Sequence, residues 1–191
     1  YEPSELVVTA RAGTTLAELD AALAEKGQWL AFEPPHFGPT ATVGGMLAAG
    51  LSGPRRATVG ALRDFVLGVK LLSGSGEVLS FGGQVMKNVA GYDVARLTAG
   101  SLGTLGVLLE VSLKVLPLPV AETTLRFAIG EAAALERLNQ WGGKPLPISA
   151  SAWHDGVLTL RLSGAAAAVA AAQRLLAGEV LADAEAATFW Q

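Results

Sequence analysis

Apolar and polar positions recur with readable periods along most of this 191-residue chain. Leu6-Val7-Val8-Thr9-Ala10-Arg11-Ala12 predicts a strand with Val8, Ala10 and Ala12 on one face. Leu16, Leu19 and Leu23 then fall at helical spacing, and Thr15 with Glu18 predicts a capping box that opens the helix. Gly27 is expected as its C′ residue. A short helix is expected over Gly44–Ala49. Phe65–Leu72 and Glu77–Phe81 predict antiparallel strands joined by the tight turn Ser73-Gly74-Ser75-Gly76. Asp93 predicts the cap of a short helix through Leu97. Val107, Leu109, Val111, Leu113 and Val115 alternate with Leu108, Glu110, Ser112, Lys114 and Leu116. That pattern predicts one long strand, solvated on its Glu/Lys side.

Pro117-Leu118-Pro119 ends the strand and predicts a boundary between domains 1–119 and 120–191. The rhythm then changes. A strand over 123–129 precedes a helix over 131–141 with Leu135 and Leu138 inward. Strands 146–153 and 157–162 flank the turn His154-Asp155-Gly156, followed by a helix over 165–177 and a short strand from Glu179. The order β-α-β-β-α-β is the ferredoxin-like split unit, and the fold class is α+β. Phe189-Trp190 is read as apolar surface that continues further or packs on a partner.

Composition narrows the chemistry. Apolar residues make up 51% and charged residues 16%, which implies a packed core rather than disorder. A formal charge of -3 without a Lys/Arg cluster argues against nucleic acid as partner. No apolar run is long enough to predict a membrane span. With no cysteine, this chain supplies no disulfide, thiolate or iron–sulfur ligand. His36 and His154 lie too far apart in sequence to predict a metal site. Tyr1-Glu2-Pro3 shows no signal peptide, and the missing initiating Met reads as a sign of a fragment.

The candidate chemistry centres on Pro34–Arg56, rich in small residues yet threaded by Val43, Met46, Leu47 and Leu51. One reading leaves its main-chain N–H groups, from Thr42 to Gly53 and before Val107, turned toward a bound anionic cofactor. The other is a structural loop and a small-residue helix packed closely on a sheet. Gly91-Tyr92-Asp93, after Lys87-Asn88, and Gly100–Val107 form two further glycine clusters able to line the same groove. P-loop and Rossmann fingerprints are absent. His36 is the one histidine placed to face a ligand, but no catalytic residue is assigned. Asp64 and Asp93 read as caps, and Tyr92 as core or rim. Arg55-Arg56 reads either as an anion contact or as an exposed charge pair. The residues alone describe a binding domain for a large anionic cofactor without a self-contained catalytic constellation.

Taken in order, several stretches carry a resemblance: Gly13–Leu19, Thr42–Ala48, Ser52–Arg56, Arg63–Lys70, Gly83 with Lys87–Asp93, and Gly100–Val107. The chain resembles the flavoprotein family of p-cresol methylhydroxylase and vanillyl-alcohol oxidase, most closely its glycolate oxidase (glycolate dehydrogenase) FAD-binding subunits. The resemblance covers about residues 6 to 119. It implies a PCMH-type FAD-binding domain, here beginning after the usual N-terminal lobe, followed by an incomplete cap, or substrate-side, domain. It also implies non-covalent FAD, with contacts at Pro35, Thr42, Gly44, Gly45, Ala48, Ser52, Gly53, Arg56, Gly106 and Val107. Retention of FAD without that lobe stays open. By the same resemblance, the partners are a catalytic flavoprotein subunit and an iron–sulfur subunit. The complex would oxidise glycolate to glyoxylate in the cytoplasm, or peripherally on the inner face of the membrane through partners; homo-oligomerisation is expected in isolation. The histidine motifs of catalytic relatives are not matched, and Leu102 stands where many of them have Glu. The competing reading is a structural or assembly subunit of the same complex that keeps the fold without flavin.

Overall fold

The computed structural model describes residues 1–83 and 91–190. The chain forms two compact units, Tyr1–Leu118 and Pro119–Gln191. In the first unit, strand β1 (Val7–Arg11) leads to helix α1 (Leu16–Ala24). Thr15 and Glu18 make the expected capping box: the Glu18 N–H donates to Thr15 Oγ1, and Glu18 Oε2 accepts from the Thr15 N–H at 2.9 Å. The helix ends at the cap Glu25, so Gly27 lies two residues past the cap, with φ +62°. Strand β2 (Gln28–Trp29), helix α2 (Val43–Ala49) and the single-turn helix α3 (Arg56–Val59) follow.

Next come β3 (Val66–Leu72), β4 (Val78–Gly82), the four-residue helix α4 (Val94–Leu97), β5 (Val107–Lys114) and β6 (Leu116–Pro117). The sheet has the antiparallel order β1-β5-β3-β4, and β6 pairs with β2. Asp64 and Asp93 act locally, accepting the N–H groups of Ala61 and Arg96. Leu16, Leu19 and Leu23 of α1 and Val43, Met46 and Leu47 of α2 join Phe32, Phe65, Val111, Leu113 and Val115 in one core. Each fully buried side chain of this kind contributes about 1.5–3 kcal/mol.

The expected strict alternation of β5 breaks at Leu109. Lys70 pairs with Glu110, but Leu71 pairs with Leu108 and Leu72 with Val107, so Leu109 is the extra residue of an irregular register. One inserted residue swaps the two faces of everything before it. Leu108 therefore packs on the core, while Val107 and Leu109 are exposed.

In the second unit, β7 (Ala121–Ala128), α5 (Glu131–Gly142), β8 (Ile148–His154), β9 (Val157–Gly164), α6 (Ala166–Leu176) and β10 (Glu179–Val180) follow one another. The antiparallel sheet order β10-β7-β9-β8 matches the split βαββαβ arrangement. Asp155 and Gly156 both have positive φ, as a two-residue hairpin turn with right-handed twist requires. Helix α5 turns Ala134 and Trp141 into the core, with Leu138 packed against it, whereas Leu135 is exposed, contrary to expectation. The period sets a face but not its rotation, and the bulk of Trp141 decides it.

A last helix, α7 (Asp183–Trp190), is not anticipated by the sequence pattern. Trp190 donates its indole N–H to Thr124 Oγ1 at 3.0 Å and lies against the Arg161 guanidinium. Arg126 pairs with Glu185 at 2.7 Å. No helix among the described residues is long and apolar enough to cross a membrane.

Candidate functional site

Helix α2 is the centre of the candidate site, and the core fixes its orientation. Val43, Gly44, Met46 and Leu47 are buried, which leaves Gly45, Ala48 and Ala49 on the outward side. Those three positions share one helical face. Beside that face lies a cavity of about 210 Å³ lined by Leu16, Pro35, Phe37, Ala41, Thr42, Gly45, Met46, Ala49 and Leu51. Its wall is predominantly apolar. Phe37 is 80% exposed, so its aromatic ring stands largely open to solvent.

The expected row of free amides is not what the structure shows. The Val43 N–H donates to Thr14 O, Gly44 to Ala12 O, Gly45 to Thr42 Oγ1, Met46 to Thr42 O, Gly50 to Met46 O and Gly53 to Phe32 O. These groups are consumed by the N-cap, the helix and the strand edge, because buried main-chain donors are paired wherever the fold can pair them. The N–H groups of Thr42, Leu51 and Ser52 take no part in these bonds, and beside them stay open the small-residue face and the apolar cavity.

The glycines divide by cause. A Cβ on Gly44 would sit 2.8 Å from Ala12 Cβ, and one on Gly53 2.4 Å from Glu33 O. A Cβ on Gly106 would lie 2.6 Å from Leu72 O. These three are glycine because backbone approaches backbone. Gly45 differs: a Cβ there would meet only Thr42 Oγ1, at 3.2 Å. Glycine in a helix costs about 0.5–1 kcal/mol relative to alanine, and at Gly45 the fold itself gives only a weak reason for it.

Other expected positions are distributed as follows. Ser52 Oγ accepts from the Leu62 N–H at 2.9 Å. Arg55 is buried: Glu33 Oε2 accepts its N–H, Oε1 faces its Nε at 3.4 Å, and its guanidinium stacks 4.7 Å from the Trp29 ring. Arg56 is exposed and forms no ion pair among the described residues. Tyr92 is 94% exposed, on the surface rather than in the core. Gly100 and Leu102 donate their N–H groups to the carbonyls of Leu47 and Ala48, so the third glycine cluster caps α2. The Lys87-Asn88 stretch lies outside the described residues.

The structure thus brings Pro35, Thr42 and Gly45 to one cavity, with Ala48 on the adjoining face. It leaves Gly44 inside the packing, and Gly53 and Gly106 at backbone crossings. Sequence reasoning passed over Leu16, Phe37, Ala49 and Leu51 as lining residues. It also passed over Asp20, whose carboxylate lies 3.2 Å from His36 Nε2. Burial pushes the Asp20 carboxyl above its ordinary range, and the neighbouring His36 opposes that shift. Helical spacing from Leu16 to Asp20 is the signal that places both on one face of α1.

With this geometry in view, the chain can be compared with known proteins. Residues 1–82 match the family described as FAD binding domain. The match runs from the first residue through β4, a little under half of the chain, and the fold is α+β. Along all 191 residues it is 52% identical to glycolate oxidase subunit GlcE of Escherichia coli (strain K12), spanning 53% of that protein. D-lactate dehydrogenase of Archaeoglobus fulgidus is 40% identical over 107 residues, 56% of this chain and 24% of that one. Glycolate oxidase subunit GlcD of Bacillus subtilis is 32% identical over 124 residues, 65% of this chain and 26% of that one. The chain thus spans about half the length or less of these relatives. Among solved structures, alkyldihydroxyacetonephosphate synthase aligns with TM-score 0.72 and 20% identity, over 92% of this chain and 38% of that one. At that identity the likeness shows the fold.

Proposed function

We propose that this chain supplies part of the FAD site in a subunit of a glycolate-oxidising complex. The observation that carries the reading is similarity along all 191 residues to a glycolate oxidase subunit, joined to an apolar cavity beside a helix face of Gly45, Ala48 and Ala49. The residues fit the group. A flat apolar ring system needs a wall without protruding side chains, and the otherwise costly glycine at Gly45 provides it. Pro35, Thr42, Gly45 and Ala48 would hold the ring-bearing part, and the exposed cation of Arg56 would serve its phosphates. Ser52, Gly53, Gly106 and Val107 belong to the proposed site as positions that shape its surroundings; Gly44 belongs to it by allowing α2 to approach β1.

When bound, FAD supplies the hydride and electron chemistry. The chain's own contribution is to bind and orient it and to exclude water with Pro35, Phe37 and Leu51. No side chain is assigned to proton transfer. Oxidation of glycolate, or of a related 2-hydroxy acid, would require a catalytic flavoprotein subunit of the type matched by GlcD, and electrons would pass to an iron–sulfur subunit. The division of residues 1–119 from 120–191 is proposed as a cofactor domain followed by a substrate-side domain. Purification of the full-length protein with its native partners, followed by denaturation and identification of the released cofactor, tests this. FAD in proportion to this subunit is expected beyond that held by the catalytic subunit. A complex whose flavin is all held elsewhere favours an assembly role and overturns the proposal.

A further inference from the structure

The segment Pro34–Thr40 forms one wall of the cavity through Pro35 and Phe37, yet little fastens it. It contains no helix or strand, and its local main-chain bond is Ala41 N–H to Gly38 O at 3.2 Å. Among the described residues, the segment's side-chain tie to the body is His36, whose Nε2 lies 3.2 Å from Asp20 Oδ2. Asp20 stands one helical turn beyond Leu16 on α1, and Leu16 lines the same cavity. One face of α1 thus supplies both the cavity floor and the anchor for its wall. An acidic side chain partly withdrawn from water is costly unless something opposite offsets it, and the imidazole is that group.

We propose that Asp20 and His36 are a positioning pair that holds Pro35 and Phe37 against the cavity, so that flavin retention depends on their contact. The inference rests on the flavin reading of this cavity. Both side chains are near half exposed, 42% for His36 and 44% for Asp20, so the contact has the modest strength of a solvated pair. Neither residue is assigned to the chemistry; each acts through the wall it positions.

The test uses the full-length protein in its native assembly, with Asp20→Asn, Asp20→Glu, His36→Gln and the double Asp20→Asn/His36→Gln variant. Flavin affinity is measured by equilibrium dialysis and amide exchange of residues 36–41 by mass spectrometry. Asp20→Asn and His36→Gln are each expected to weaken flavin binding by about two- to fivefold and to speed exchange of the segment. The double variant is expected to be no worse than either single, and Asp20→Glu to stay near the parent. Unchanged affinity and exchange in the singles, additive losses in the double, or Asp20→Glu as weak as Asp20→Asn would each overturn the pair. A parent protein that holds no flavin in this cavity removes the cofactor reading. Exchange then still decides whether Asp20 fastens the segment, and faster exchange alone leaves the retention claim overturned.

Discussion

Glu33 engages Arg55 twice, through its Oε2 on the Arg55 main-chain N–H at 2.9 Å and its Oε1 beside the side-chain Nε at 3.4 Å. Glu33 itself stands at φ +52°, a conformation disfavoured for a side chain of its kind. Arg55 is buried and stacks on Trp29, and the Glu33 side chain beside it is largely withdrawn from water. It ties the loop before α2 to the loop after it, and so frames the candidate site without entering it.

Removing one partner leaves the other charge buried. Arg55→Ala is therefore expected to destabilise the protein by about 3–5 kcal/mol, and Arg55→Lys to recover only part of that, because lysine lacks the planar fork. Urea unfolding of the variants checks this. A near-neutral Arg55→Ala would mean that the pair is not what holds the two loops.

Gly44 and Gly45 are neighbours with opposite roles. Gly44→Ala is expected to cost about 1–3 kcal/mol, since its Cβ must displace Ala12, the residue that follows β1. Gly45→Val is expected to leave the folding midpoint within about 1 kcal/mol while abolishing flavin retention. Parallel unfolding curves and visible flavin absorbance distinguish the two. Equal loss of folding and flavin in Gly45→Val would favour a purely structural turn.

Thr15→Ala removes the N-cap acceptor and is expected to cost about 1 kcal/mol. The hydrogen bonds from Thr15 hold the Glu18 carboxyl below its ordinary value. A carboxyl lowered by folding stabilises the native state above its unfolded pKa, and that contribution is lost as pH falls through the folded value. The gap in stability between parent and Thr15→Ala should therefore narrow under acid. Thermal melts from neutral pH down to below the glutamate range measure it.

In the second unit, Trp190→Phe keeps an aromatic ring on α7 but strands the buried Thr124 hydroxyl. The expected cost is about 1–2 kcal/mol. Adding Thr124→Val to the Trp190→Phe variant should recover part of it. Denaturant midpoints of the single and double variants decide.

Much of this architecture was legible in the residues. The box at Thr15 and Glu18, the caps at Asp64 and Asp93, and the hairpin at Asp155-Gly156 are local chemistry, settled within four residues of chain. The misreadings share a different origin. Leu109 falls out of alternation because β3 pairs with β5 in a shifted register, and nothing within β5 announces its partner. Leu135 loses the inward position to Trp141 through packing with β-strands. Arg55 belongs to Glu33, twenty-two positions away. The amides of α2 were expected to be free because glycine-rich sequence shows capacity for close approach, not what approaches. That stretch still pointed to the cavity. The reason for each glycine emerged only when its neighbours were in place.

Gly50 has no room for a Cβ because the Gly100 backbone would lie 2.7 Å from it, and the α2 carbonyls of Leu47 and Ala48 are satisfied by Gly100 and Leu102. The end of this helix is thus completed by chain made about fifty residues later. Such a long loop must close before the contact rewards it, which places its formation late on the route to the native state. Changes at this junction should chiefly hasten unfolding rather than slow folding, so the helix that carries the candidate site would be kinetically guarded by a distant turn.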